Sequence, residues 1–389
     1  MSSILMRIVK KSYDIFLFLL SELFINTLCI LPRKKTNAIL VCKLDAIGDY
    51  ILFRNGFRSF TQSKSMIGKS IILLGNELWK ELAVEWDSDI VTSFIWVNRK
   101  RFNRNLFYRF SLFYTLYKQG FGLAVETTFS REWLFGDLLI YSSFATERIA
   151  SVGTNENNAH KYNAHFGDKF YTRLYPAKAE PLFEFYRNLE FFSLVANEPI
   201  SVRYEIEAKH YQDFPAPIIK PYVVLVPGAQ DSFRRWSDVN FSSVAKYCIE
   251  NFGFAVVLCG GKSDMPVAER IEKVMNSREL TNTVGKTSLV EYVGILKCAK
   301  LVITNDTSAI HFAAAINTPF VCISNGLRLG RFHPYPKELH SMARYVFPEV
   351  VAHSLEIGDN KFLYGSQMDI NIISVDEAIK SINDLLTTI

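Results

Sequence analysis

Residues Leu301–Ser324 read "LVITNDTSAIHFAAAINTPFVCIS". An apolar run of strand composition leads into Asn305, Asp306, Thr307 and Ser308, then an alanine-rich helix carrying His311, then Pro319 and a second apolar run. A strand, a polar turn, a short helix and another strand make one β–α–β unit, which implies parallel strands. Capping a helix takes one Ser, Thr, Asp or Asn. Four in a row exceed that need. The helix N-terminus also offers unpaired N–H groups and a partial positive charge, which suit an anion. Thr307 and His311 are four apart, hence on one helix face.

The same rhythm extends in both directions. "YVVLVPG", "FAVVLCGG" and "LVITND" are strands separated by helical stretches such as "SDVNFSSVAKYCIENFG" and "SLVEYVGILKCAK". Further upstream, "AILVCK", "SIILLG", "SFIWVN" and "GLAVET" repeat the pattern, with "LFYRFSLFYTLYKQG" the clearest helix. Such alternation predicts α/β architecture with parallel sheets covered on both faces. Ligands in such folds sit at the carboxyl ends of the strands. The three prolines between Pro215 and Pro221 mark residues 213–221 as a linker. The expected parts are residues 1–35 as a separate helix, 36–212 as a first domain and 222–389 as a second. The last helix is free to pack back on the first domain. The polar stretch 153–181 is expected to form a mobile or acceptor-facing loop.

Composition agrees with two packed domains. The 389 residues are 49% apolar and 21% charged, with 31 Phe and 18 Tyr, a globular balance. A net charge of +5 suits phosphates or an acidic membrane face and is too small to argue for nucleic acid. Six scattered cysteines without a CxxC pair indicate a reduced, cytoplasmic protein with neither disulfides nor a zinc site. The apolar stretch "YDIFLFLLSELFINTLCIL" is flanked by Arg7, Lys10 and Lys11 and by Arg33, Lys34 and Lys35. It lacks a signal-peptidase site, is short for a membrane span, and carries Glu22 and Asn26. It is expected either to lie in a membrane interface or to pack on the rest of the protein.

Four loops follow predicted strands. In "KLDAIGDY", Gly48 gives the turn freedom and Asp49 is either the helix N-cap or a general base. In "VPGAQDSFRRWSD", Gly228 opens the backbone, while Arg234 and Arg235 suit a diphosphate or else form a solvated pair beside Trp236. In "CGGKSD", Gly261 is compatible with phosphate binding and Asp264 with an N-cap; no GxGxxG dinucleotide fingerprint is present. The fourth loop is Asp306–Ser308 with His311.

The blocks "ILVCKLDAIGDYILFRNGFRSF", "GAQDSFRRWSDVNFSSVA", "VVLCGGKSD" and "VGKTSLVEYVGILKCAKLVITNDTSAIHFAAAINTPFVCI" resemble, in order, glycosyltransferase family 9, the heptosyltransferases of lipopolysaccharide assembly. The resemblance implies a GT-B fold: two Rossmann-like domains facing each other across a cleft, preceded here by an N-terminal hydrophobic helix. It implies inverting transfer of a sugar, heptose favoured, without metal or cofactor, the nucleotide-sugar being a co-substrate. Asp49 matches the catalytic carboxylate. Gly228, Arg234, Arg235, Gly261, Asp264, Asp306, Thr307, Ser308 and His311 fall on the donor side. Arg234 replaces the usual lysine, Ser308 the usual glycine and Ser237 the usual proline. The implied partners are an ADP-heptose-like donor, a lipid-linked glycan acceptor and the inner leaflet, with the protein cytoplasmic and peripheral to the inner membrane. The competing expectation is a non-catalytic two-lobed glycan- or solute-binding protein, for which the missing export signal is unfavourable.

Overall fold

The computed structural model describes residues 3–154, 163–178, 181–214, 216–363 and 365–388. The greater part of the stretch read as an acceptor-facing loop is described; residues 155–162 and 179–180, with Pro215 of the expected linker, lie outside the described residues. The chain divides into two compact units. The first comprises Met1–Ala46, Gly56–Ala179 and Arg187–Ser201; the second comprises Ile47–Asn55, Glu180–Tyr186 and Val202–Ile389.

The first unit is built from α1 (Ser3–Leu28), β1 (Ile39–Lys43), α2 (Ile47–Thr61), β2 (Ile71–Asn76), α3 (Lys80–Asp87), β3 (Ser93–Val97), α4 (Arg99–Arg104), α5 (Leu106–Gln119), β4 (Leu123–Glu126), α6 (Gly136–Ser142), β5 (Glu147–Ser151), β6 (Arg173–Tyr175) and α7 (Glu184–Ala196). Residues 47–55 of α2 and 184–186 of α7 group with the second unit. Its sheet has the order β3-β2-β1-β4-β5-β6, every pair parallel. The central strands are buried along their whole length because helices cover both faces. Gly120 ends α5 in the left-handed region, φ 68°, which a glycine adopts without strain.

The second unit contains β7 (Tyr222–Val226), α8 (Asp238–Phe252), β8 (Ala255–Leu258), α9 (Met265–Met275), β9 (Leu280–Asn282), α10 (Leu289–Cys298), β10 (Leu301–Asn305), α11 (Ser308–Ala315), β11 (Phe320–Ile323), β12 (Ala343–Val346), α12 (Glu349–Glu356) and α13 (Val375–Leu386). Its sheet runs β12-β11-β10-β7-β8-β9, again wholly parallel. The alanines of α11 let it lie close on the sheet, and Ala309 to Ala315 are all buried. Burying each larger core side chain, such as Ile303 or Phe241, contributes roughly 1.5–3 kcal/mol. The last helix, α13, buries Ala378, Ile382 and Leu385 in this core. The β7, β8 and β10 strands are neighbours, so the loops after them emerge side by side at one edge.

The first unit buries several ionisable groups, Lys43, Arg131, Asp137 and Glu126 among them. Glu126, at the end of β4, is 1% exposed, and its Oε2 has no hydrogen-bond partner. Burial pushes its carboxyl from 4.5 up to about 7. The folded state therefore holds this proton more tightly than the unfolded chain. The sign follows: stability is full below about pH 4.5 and is lost as pH rises through 7. Glu126→Gln removes the titration. The variant is expected to gain roughly 3 kcal/mol on the wild type between about pH 5 and pH 8, measured by urea unfolding. A stability difference that is flat with pH would reject the buried-proton account.

Candidate active site

The loop that launches α2 is pinned before the helix begins. Lys43 pairs with Asp45 at 2.7 Å, Thr128 donates to Asp45 Oδ2 at 2.9 Å, and Asn76 Nδ2 donates to the Leu44 carbonyl at 3.0 Å. The helix N-cap is Ala46, which makes no side-chain capping bond, and Asp49 is the third helical residue. The expectation that Asp49 caps α2 is thus corrected: the helix begins three residues earlier than its polar residue suggests. Gly48 is corrected too. It lies inside the first turn with an ordinary helical backbone, and its use is close approach. A Cβ at Gly48 would stand 2.6 Å from His311 Cδ2, 3.3 Å from Nε2 and 3.5 Å from the Ser308 Cα. The N-termini of α2 and α11 therefore meet, and Asp49 follows the contact residue directly.

His311 is held from behind. Its Nδ1 lies 2.7 Å from the Tyr335 hydroxyl, which lies 2.9 Å from the Tyr204 hydroxyl; Tyr204 in turn donates to the His311 carbonyl at 2.8 Å. A carbonyl only accepts, so the Tyr204 proton is committed there and Tyr335 must donate to Tyr204. His311 Nδ1 then carries the hydrogen. Nε2, on the edge facing Gly48, is left as an acceptor. Burial lowers the His311 pKa to about 4, against the opposing pull of Asp306, so the ring is neutral at physiological pH. The hydroxyls of Tyr204 and Tyr335 are pushed up by burial and stay protonated.

Thr307 takes the cap of α11, accepting from Ala309 N at 3.2 Å. The other polar residues of the loop have other tasks. Asn305 donates to the Pro227 carbonyl at 2.8 Å and accepts from Trp236 N at 3.1 Å, tying the β7 loop to the β10 loop. Asp306 takes the Arg234 guanidinium at 2.6 Å, and Arg234 also donates to the Asp306 carbonyl. His333 Nε2 stands 3.4 Å from the same carboxylate and 2.9 Å from Ser324 Oγ. Burial acts to raise the Asp306 carboxyl, but His333, Arg234 and His311 outweigh it and hold it well below the usual carboxylate range.

Arg234 is thus engaged with protein, which removes the solvated-pair expectation for it. Its neighbour Arg235 donates through Nε to the Ala229 carbonyl at 2.7 Å. Trp236 is buried and donates to the Ile373 carbonyl. Asp264 is corrected only in part. It stands at the N-cap position of α9 as expected, but its side chain makes no capping bond there; its Oδ2 instead accepts from Gly261 N at 2.9 Å. Any Cβ on Gly228 would overlap the Asp264 carboxylate. That glycine lets the β8 loop close onto the β7 loop.

Two sets of sequence-derived residues are therefore assembled: Gly48, which directly precedes Asp49, against Ser308 and His311, and Arg234 on Asp306. Gly228, Gly261 and Asp264 form a third, adjoining brace. Sequence reasoning missed His333, Tyr335 and Tyr204. The stretch "GLRLGRFHPYP", 326–336, contained the first two, but nothing in its spacing points to Asp306 or His311. Among the described residues no group of three or more His, Cys, Asp or Glu is arranged as a metal site.

Two Rossmann-like units with all-parallel six-stranded sheets define the GT-B class of fold. The chain is similar over 90% of its length to the structure of Escherichia coli ADP-heptose LPS heptosyltransferase II, which is covered to 99% with a TM-score of 0.65 and 17% identity. Escherichia coli heptosyltransferase WaaC with ADP is matched likewise, with a TM-score of 0.68 at 15% identity, over 90% of this chain and 99% of that one. The family resemblance seen in the sequence holds: the model of glycosyltransferase family 9 (heptosyltransferase) matches residues 159–350. Lipooligosaccharide heptosyltransferase 2 of Haemophilus influenzae is 29% identical over 171 residues, 43% of this chain and 48% of that protein. The match spans about half the length of that curated relative.

Proposed function

We propose that this protein is an inverting, metal-independent glycosyltransferase that moves heptose from a nucleoside-diphosphate donor to a lipopolysaccharide-type acceptor. The observation that carries the reading is the meeting of two helix N-termini at Gly48, Ser308 and His311. It puts the carboxylate-bearing turn of α2 against the capped end of α11, where an anionic donor is stabilised by N–H groups and helix dipole. In this reading Asp49 takes the proton from an acceptor hydroxyl as its oxygen bonds the anomeric carbon. The bond from that carbon to the diphosphate oxygen breaks, and its electron pair leaves with the nucleoside diphosphate. Arg235, Arg234 and the α11 N-terminus meet that developing charge. ADP-heptose is the favoured donor, supported by the structural neighbour crystallised with ADP. The acceptor would be lipid-linked, with the enzyme at the cytoplasmic surface of the inner membrane.

A thermal-shift screen of ADP-, UDP-, GDP- and CMP-linked sugars tests the donor. At a hundred times Kd, a specific ligand stabilises the fold by about 2.7 kcal/mol, and ADP-heptose is expected to give the largest shift. Transfer to a heptose-deficient lipopolysaccharide is then read by mass spectrometry. Binding without any transfer would favour the non-catalytic glycan-binding alternative.

A further inference from the structure

The N-terminal helix has two apolar faces, and only one is used within the first unit. Phe18 packs on Trp133 and Phe166, each with ring centroids 5.0 Å apart, and Leu17, Ile25 and Leu28 are buried with it. The polar residues that mar the sequence as a membrane segment are absorbed by the same unit. Glu22 pairs with Lys169 at 2.6 Å, and Asn26 accepts from the Tyr141 hydroxyl at 2.5 Å. What remains outward is apolar: Val9, Tyr13, Phe16, Leu19 and Leu23 are 53–64% exposed. Their spacing keeps them on one side of the helix.

This face does not end at α1. Helix α5 lies beside it, running the same way: Arg109 donates to Ser21, Phe110 stacks on Phe24 at 4.3 Å, and Tyr117 donates to the Leu31 carbonyl. The partners are always 86 to 88 residues apart. Across the Phe24–Phe110 seam, α5 turns out Phe107, 90% exposed, with Leu106 and Tyr114 also exposed. Helix α4, "RKRFNR", runs directly into α5 and exposes Lys100, Arg101 and Arg104. Lys10 and Lys11 on α1 and Lys34 and Lys35 after it are exposed as well.

We propose that α1 and the N-terminal half of α5 form one membrane-docking platform, with the apolar side chains of both entering the interface of an anionic bilayer and the α4 cations meeting its head groups. This rests on the reading above that the acceptor is lipid-linked. Charge selects the occupant: apolar residues edged by cations on three segments, with Glu22 of α1 already paired to Lys169, match an anionic lipid surface. No helix among the described residues is long and apolar enough to cross a membrane, so the contact is peripheral. A 26-residue helix presents about 39 Å of length to that surface.

The full chain is floated with phosphatidylcholine vesicles, with and without phosphatidylglycerol. The wild type is expected to partition to the anionic vesicles only and to be released by salt. Phe16→Glu and Phe107→Glu, both surface changes checked by thermal melting, should each weaken partitioning about tenfold or more. Lys100→Gln with Arg104→Gln should remove the preference for phosphatidylglycerol. If Phe16→Glu weakens binding and Phe107→Glu does not, membrane association survives and the two-helix platform is overturned. If the wild type binds no vesicle, both fall. A concentration-dependent dimer abolished by the same variants would make the occupant a second copy of the chain and overturn the proposal.

Discussion

Asp49→Asn is expected to leave the fold intact and to lower kcat by about 10²–10⁴-fold, the range a positioned general base supplies. The structure sharpens this test. Ala46, not Asp49, is the N-cap of α2, and asparagine is isosteric with aspartate, so the melting temperature should stay near that of the wild type. Asparagine keeps the shape and the capacity to accept a hydrogen bond but cannot take a proton. The informative measurement is single-turnover transfer at saturating donor, with donor Kd measured separately. A variant that binds donor normally and fails to transfer isolates the proton step. Transfer within a few-fold of wild type would remove Asp49 from the chemistry and hand the proton to another acceptor, for which the neutral His311 Nε2 is positioned.

Gly48→Ala is the second large effect, and its sign is diagnostic. In an ordinary helix this change stabilises by about 1 kcal/mol. Here the new Cβ would stand 2.6 Å from His311 Cδ2, a distance real atoms do not tolerate. His311 cannot swing aside cheaply, because Tyr335 holds its ring and Tyr204 its carbonyl. Overpacking of this kind costs about 1–3 kcal/mol, so the variant should melt below the wild type. The displacement falls on the residue next to Asp49, and a shift of about 1 Å in a reacting group can cost about 10²-fold in rate. Adding His311→Ala should restore stability without restoring transfer. A Gly48→Ala protein that melts higher than wild type would show that the two helix ends do not meet.

These outcomes bear on how much of the molecule its sequence carried. The apolar runs at β1, β7 and β10, each followed by a helix, determined a parallel α/β fold, because strands buried on both faces need unbroken apolar sequence. The "NDTS" stretch at the start of α11 marked the candidate site, since it holds more hydrogen-bonding residues than a cap consumes. Which of them caps was legible only as a choice among Asp306, Thr307 and Ser308, and the structure gives that task to Thr307.

What the tertiary structure alone decided is which side chains meet. Asp306 and His333 are separated by 27 positions, and Tyr204 and His311 by 107. No local pattern can pair residues so far apart, because their meeting depends on how sheet and loops close in space. The same holds for the corrections. Asp49 looks like a cap because capping is a local preference, worth about 1 kcal/mol, and tertiary contacts of similar size readily displace it. Gly48 looks like a flexible turn because glycine usually is one. Only the position of the His311 ring shows that the absence of a side chain is the reason for the glycine.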